Sequence, residues 1–299
     1  MSNTNRRDFL RASVAAAAIA TPLNAAQPAQ NKTDSEQLAS RLNHDLHTHT
    51  VFSDGAHSIA LHILEARAFE LEAVAVTDHY APAGRISKSE EQFDLYLAEI
   101  ERARSGQDDV IVLKGVEASA LDTTGRISID QQHAARLEWI LCHLGGEAEG
   151  TLRNTPSDKR QYVENVVRTY MGLCDVEYLD VIAHPFNTGN TRPPAFPEDY
   201  PPHLLRELAA KMAEKKKVFD VMNDMIYWFH KTSIPPRELT AQYVELVKLF
   251  SSEGVMFQVS SDDHRTGLGN TRWAKLVVTR AGVPGGQIVD PKRIARREN

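Results

Sequence analysis

Histidine and carboxylate residues recur in short motifs along this chain: His47-x-His49, Asp54-Gly55, Thr77-Asp78-His79, Gly115-Val116-Glu117, Cys142-His143, Ala183-His184-Pro185 and Asp262-Asp263-His264. Imidazole nitrogen and carboxylate oxygen are the donors that Zn, Mn and Fe sites use. On a strand, alternate side chains share a side, so His47 with His49, and Asp262 with His264, would face one way and could share an ion. Glu117 closes the apolar run VIVLKGV, and a buried carboxylate needs a positive partner. Singly, each motif has a plainer reading. His143 and His184 could be hydrogen-bonded core histidines, and Asp54-Gly55 a turn. Together, His47, His49, Asp54, His79, Glu117, His143, His184, Asp262 and His264 all stand at or just after an apolar run, which turns and core histidines explain poorly.

Those apolar runs define the elements that must position the donors. Strands are expected at about 43–49, 73–78, 110–117, 137–143, 179–184, 217–223 and 255–262, as continuous Val/Ile/Leu-rich runs rather than alternating ones. This is the pattern of parallel strands covered on both faces. Helical periodicity fills 58–71, with Ser58 as N-cap, and then 89–104, 157–173, 202–217 and 237–253. Residues 118–136 hold a polar excursion read as a hairpin or loop. Residues 187–201 read as a long rim loop, and LVVT at 276–279 as an extra strand. An open doubly wound sheet also has parallel strands, but rarely draws ligands from nearly all their ends. The expected fold is therefore an α/β, TIM-like barrel of seven β/α units, with a metal site on the carboxyl rim.

The N-terminus is a separate matter. Arg6-Arg7-Asp8-Phe9-Leu10 precedes the apolar run VAAAAIA and the small-residue stretch TPLNAAQPAQ. A basic region, a short apolar region and small residues describe a secretory signal, and paired arginines point to the twin-arginine route. Residues 1–30 are assigned to this signal and its linker, with cleavage between Ala20 and Gln30, and residues 40–299 to one barrel domain. The expected location is the periplasm or another exported compartment, with the twin-arginine machinery as partner of the precursor. The apolar run is too short to span a membrane. The formal net charge of −6 argues against generic nucleic-acid binding, which needs a positive surface. Cys142 and Cys174 read as small buried hydrophobes rather than a disulfide.

The motifs HTHTVFSDG, TDH, GVE, a strand-end histidine, AHP and SDDH, in that order, resemble the polymerase and histidinol phosphatase (PHP) superfamily. The resemblance covers essentially the whole chain after the signal. It implies a distorted seven-stranded (β/α) barrel binding two to three divalent ions (Zn, Mn or Fe) and hydrolysing a small phosphoester. By position, His47, His49, Glu117 and Asp262 would hold a first metal. Glu117 would bridge to a second held by His143 and His184, and Asp54, His79 and His264 would hold a third. Glu117, Asp262 and His264 would carry the catalysis, with a metal-bridging water acidified towards ~7 as the nucleophile.

Other residues are weighed beside these. Asn223 ends the sixth strand and, with Arg192 and Arg265, is a candidate substrate contact. Arg85, Tyr80, Trp228 and His230 are further candidates to line the substrate end. Ser53 and Ser261 are expected to be supporting hydroxyls, not nucleophiles. His62, His133 and His203 are expected at the solvent-exposed surface, and the Lys215–Lys217 run at a helix C-terminus, where cations favour the dipole. Two other readings stay open: a metal-dependent hydrolase of a non-phosphate ester or amide, and a non-catalytic metal-binding protein.

Overall fold

A computed structural model describes residues 34–295; the twin-arginine motif lies outside them. Eight strands occur in chain order: β1 (His44–Thr48), β2 (Ala73–Val76), β3 (His79–Tyr80), β4 (Ile111–Ser119), β5 (Trp139–His143), β6 (Val181–Ile182), β7 (Val218–Met222) and β8 (Met256–Ser260). All pairs are parallel, and the path β1-β2-β4-β5-β6-β7-β8 uses seven of them. β3 resumes β2 after the break at Thr77-Asp78 and pairs with β4. Helices Ile59–Ala68, Glu90–Arg104, Lys159–Cys174, Pro202–Glu214 and Pro236–Ser252 fill the expected connections. Ser58 caps the first, its side chain accepting from Leu61 N. No helix among the described residues is long and apolar enough to cross a membrane.

The seam between β1 and β8 makes this barrel a distorted one. At its carboxyl end Asp262 N donates to His47 O at 3.1 Å and His49 N to Asp263 O at 2.8 Å. Lower down, a side chain replaces the ladder: Asp45 accepts from Ser261 N at 2.9 Å and from Gly269 N at 2.7 Å. β1 also shifts register between Asp45 and Thr48. The irregularity turns Leu46 into the inner core with Ala73, Ala75, Leu113, Trp139 and Leu141, while the neighbouring His47 also faces inward, onto Asp220. Asp45, in the same period-two class as His47, faces the seam instead.

The break in β2 leaves backbone groups to satisfy, and Tyr96 on the helix Glu90–Arg104 meets them. Its hydroxyl lies 2.7 Å from Gly115 O and 3.0 Å from Val76 O, and Asp78 N approaches it at 3.4 Å. β3 can then resume with His79 directly opposite Glu117. Gly115 is required on steric grounds, because a Cβ there would sit 2.5 Å from Trp139 O and 2.8 Å from Thr77 Cγ2.

One sequence expectation of the fold changes. LVVT at 276–279 lies in the helix Arg272–Arg280, which buries Ala274, Val277 and Val278. A run of four residues fits either period, and the helical stripe begins upstream of it. The Lys215–Lys217 run does follow the helix Pro202–Glu214, and Lys217 is buried, its ammonium donating to Val176 O and Leu179 O at 2.7 and 2.5 Å. The cysteines and the 118–136 excursion agree with the reading. Both cysteines are free and buried. The 118–136 excursion includes an antiparallel bridge between Ala120 and Ile127 and then a short helix, Gln131–Ala134.

Removing the Tyr96 hydroxyl takes away the group that bridges Asp78 N, Val76 O and Gly115 O at the β2 break. Tyr96→Phe is expected to lower unfolding stability by about 1–3 kcal/mol, measured by denaturant melts; an unchanged midpoint would show that the hydroxyl does not support the break.

Candidate metal centre

All nine sequence-identified donors come together at the carboxyl end of the barrel. β1 supplies His47 and, just beyond it, His49; the loop after it supplies Asp54. β3 supplies His79, β4 Glu117 and β5 His143, while His184 and the pair Asp262 and His264 follow β6 and β8. Two of these sit on unusual backbone: Asp262 at φ +56° and His184 at φ +27°. Side-chain residues other than glycine rarely adopt positive φ, and such strain concentrates at functional sites.

Glu117 is the hub. Its side chain is completely buried, and five imidazoles surround it. Oε1 lies 3.0 Å from His143 Nδ1, 3.1 Å from His184 Nε2 and 3.3 Å from His47 Nε2. Oε2 lies 2.8 Å from His79 Nδ1 and 3.6 Å from His49 Nε2. Asp262 Oδ1 sits 3.1 Å from His49 Nε2 and 3.5 Å from His47 Nε2. At the outer edge, Asp54 Oδ1 lies 3.4 Å from His264 Nε2 and 3.6 Å from His79 Nε2. Donor atoms fall into four overlapping groups: His47, Glu117 and His184; His47, His49 and Asp262; His79, Glu117 and His143; and His49, Asp54, His79 and His264.

The electrostatics of this cluster draw in positive charge. Burial pushes the Glu117 carboxyl up, but His143, His47 and His79 together hold it well below the usual range. Burial likewise opposes ionisation of Asp262, and His47 and His49 outweigh it. Against burial, Glu117 and Asp262 raise His47 well above an ordinary imidazole, and the hydrogen bond to Asp54 helps raise His264 to about 9. His49 goes the other way, to about 3, through burial and the charge on His79. Two buried carboxylates thus take up protons on neighbouring imidazoles, a charge that cations can replace. The donor set fits such ions. Glu117 Oε2 and His79 Nδ1 make no hydrogen bond although 2.8 Å apart, and His49 Nδ1 is also left without one.

Sequence reading missed residues behind this ring. Asp220 lies inside β7, fully buried, with Oδ2 3.1 Å from His47 Nδ1. Its Oδ1 accepts from Gln258 Nε2 at 2.9 Å, and Gln258 Oε1 accepts from Trp139 Nε1 at 3.1 Å. A carboxylate inside the apolar run VFDVM was the available signal. Asp78 accepts from Thr50 N, Thr50 Oγ1 and Ser53 Oγ at 2.8, 2.7 and 2.6 Å, which fixes the loop carrying Asp54. Ser119 Oγ lies 3.1 Å from His143 Nε2 and orients that ring. Ser53 and Ser261 hold backbone and side chains in place, as expected.

A cleft of about 930 Å³ opens above the ring, lined by Arg85, Lys88, Arg192 and Trp228. Arg192 therefore stands where a substrate contact was expected. Asn223 and Arg265 do not line this cleft; they border a separate small depression. Asn223 Oδ1 instead accepts from Trp273 N at 2.8 Å, tying β7 to the start of the helix Arg272–Arg280. His62 is fully buried rather than exposed, and His133 is largely covered, paired with Glu90 and Asp130; His203 is exposed.

Asp220 orients His47 without reaching the cleft, so Asp220→Asn should keep the fold and weaken divalent-metal affinity by about 10–100-fold. Competition with a chromophoric chelator measures this, and an affinity equal to wild type would remove Asp220 from support of the centre.

The PHP domain model matches residues 45–261, from β1 to the segment after β8. A probable phosphatase of Caldicellulosiruptor bescii is 26% identical over 221 residues, covering 74% of this chain and 79% of its own. One from Acetivibrio thermocellus is 27% identical, covering 74% and 78%. Among solved structures, histidinol phosphate phosphatase from Lactococcus lactis, complexed with zinc, L-histidinol and phosphate, aligns with TM-score 0.61 at 17% identity, over 83% of this chain and 99% of that one. That likeness is one of fold, and the family match spans every strand of the barrel path: the chain belongs to the PHP domain family.

Proposed function

We propose that this chain is a metal-dependent phosphoesterase acting on a small phosphorylated substrate. The observation that carries the reading is the ring of five imidazoles on a buried Glu117, at the base of a cleft lined by Arg85, Lys88 and Arg192. The family match and the relatives described as probable phosphatases support it. In this reading His47, His49, Glu117 and Asp262 hold one ion, and Glu117 with His143 and His184 a second. Asp54, His79 and His264 hold a third. The mixed imidazole–carboxylate set suits Zn, Mn or Fe. Such ions supply Lewis acidity to phosphoryl oxygens and a water acidic enough to be deprotonated near neutral pH.

The chain's own residues do the rest. Glu117 keeps charge at the centre of the ring and joins two of the donor groups through its two oxygens. Asp262 fixes the Nε2 side of His49, and Asp54 holds His264 at the rim. Arg85, Lys88 and Arg192 offer donors to phosphate oxygens entering the cleft, Arg in the forked geometry that suits them. The decisive experiment is release of inorganic phosphate from a panel of nucleotides, sugar phosphates and other phosphomonoesters by the metal-loaded protein. Glu117→Gln should keep the fold and lower turnover at least about 100-fold. Product release from carboxylic esters or amides, with no phosphate from any phosphoester, would replace this reading with the carbonyl-directed hydrolase.

The sequence further supports export. Residues 1–30 carry the paired Arg6-Arg7 ahead of a short apolar run, and the twin-arginine route carries the folded protein to the periplasm in this reading. Replacing both arginines by lysine should leave uncleaved precursor in the cytoplasm on cell fractionation; normal periplasmic delivery of that variant would overturn the assignment.

A further inference from the structure

Behind the rim, outside the nine donors, lies a second group of metal-ligating side chains. His62 on the helix Ile59–Ala68 is fully buried, and neither of its ring nitrogens makes a hydrogen bond. Its Nε2 lies 3.6 Å from Asp263 Oδ2, an oxygen also without a hydrogen bond. His57, just before the Ser58 cap, presents Nδ1 at 3.5 Å from Glu65 Oε2, and these two atoms lack hydrogen bonds as well. One donor atom from each of His57, His62 and Asp263 lies within 4.8 Å of the other two. Asp263 is divided in use: Oδ1 accepts from Arg265 N at 2.9 Å and Gly267 N at 2.6 Å, which leaves Oδ2 aimed at His62.

Burying polar atoms without partners costs free energy at each of them, and this cluster gathers five in one place. A cation takes one nitrogen each from His57 and His62 together with an Asp263 oxygen. Zinc bonds of about 2.0–2.1 Å put tetrahedral ligands about 3.4 Å apart, close to the 3.5 and 3.6 Å separations here. Burial also holds the His62 imidazole at about 4, so it is uncharged at neutral pH with a lone pair to give. His57 and Glu65 are partly exposed, at 20% and 24%, and give an ion a way in.

We propose that His57, His62 and Asp263, with Glu65 beside them, form an additional zinc-type site, distinct from the PHP centre and structural in role. An ion there ties the start of the helix Ile59–Ala68 to the segment after β8. That segment carries Asp262 and His264, and His264 O already accepts from Ala56 N at 2.8 Å. The site is independent of the phosphoesterase reading, because none of its ligands faces the cleft.

Zinc-loaded wild-type crystals measured at the zinc absorption edge should show an anomalous peak between His62 Nε2 and Asp263 Oδ2, separate from those around Glu117. In solution, elemental analysis should find one zinc fewer per chain in His57→Ala than in wild type, while Glu117→Gln keeps this ion. No peak among these residues, or equal zinc content in folded wild type, His57→Ala and His62→Gln, would overturn the proposal and leave an imidazole–carboxylate pair.

Discussion

A fully buried carboxylate organises this molecule. Glu117 has no exposure to water, and among the described residues nothing but imidazole nitrogens lies within salt-bridge range of it. A lone ionised carboxylate in such a place would cost several kcal/mol. The surrounding histidines offset that cost, and they do so from strands and loops far apart in sequence. Each strand end that contributes a donor is thereby tied to the same point, and the charge at that point favours cations over an empty pocket.

The barrel serves this arrangement through its irregularities more than through its regular parts. The register shift in β1 brings His47 inward beside Leu46. The break at Thr77-Asp78 ends β2 early and lets β3 set His79 opposite Glu117. The seam closed by Asp45, and the positive φ at Asp262, carry the segment after β8 back over β1. Beneath the ring, the chain from Trp139 through Gln258 and Asp220 to His47 makes the inner core a support for the first histidine motif. The same segment after β8 links the centre to the His57–His62–Asp263 cluster, so the rim is stiffened from two sides.

Much of this was legible in the sequence, because donors follow apolar runs and strands covered on both faces read as continuous hydrophobic stretches. The seven strand positions and the five main helices were accessible for that reason, as were the nine converging donors. What escaped had a common cause: it depended on neighbours distant in sequence. Asp220 looked like one polar residue inside a strand until His47 and Gln258 stood beside it. His62 shares the buried face of its helix with Ile59, Ile63 and Ala66, and Asp263 returns beside it from a distant part of the chain. Asn223 had the right place at a strand end but spends its carbonyl oxygen on Trp273 N. LVVT was too short for its period to be read.

The most direct test of the central claim is a single titration of the chelated, metal-free protein with Zn or Mn, in which bound metal and released inorganic phosphate are followed together on a substrate that the loaded protein hydrolyses. The account predicts no phosphate release from the metal-free chain, and turnover that rises as ions fill the ring around Glu117. Undiminished turnover by the metal-free protein would contradict it.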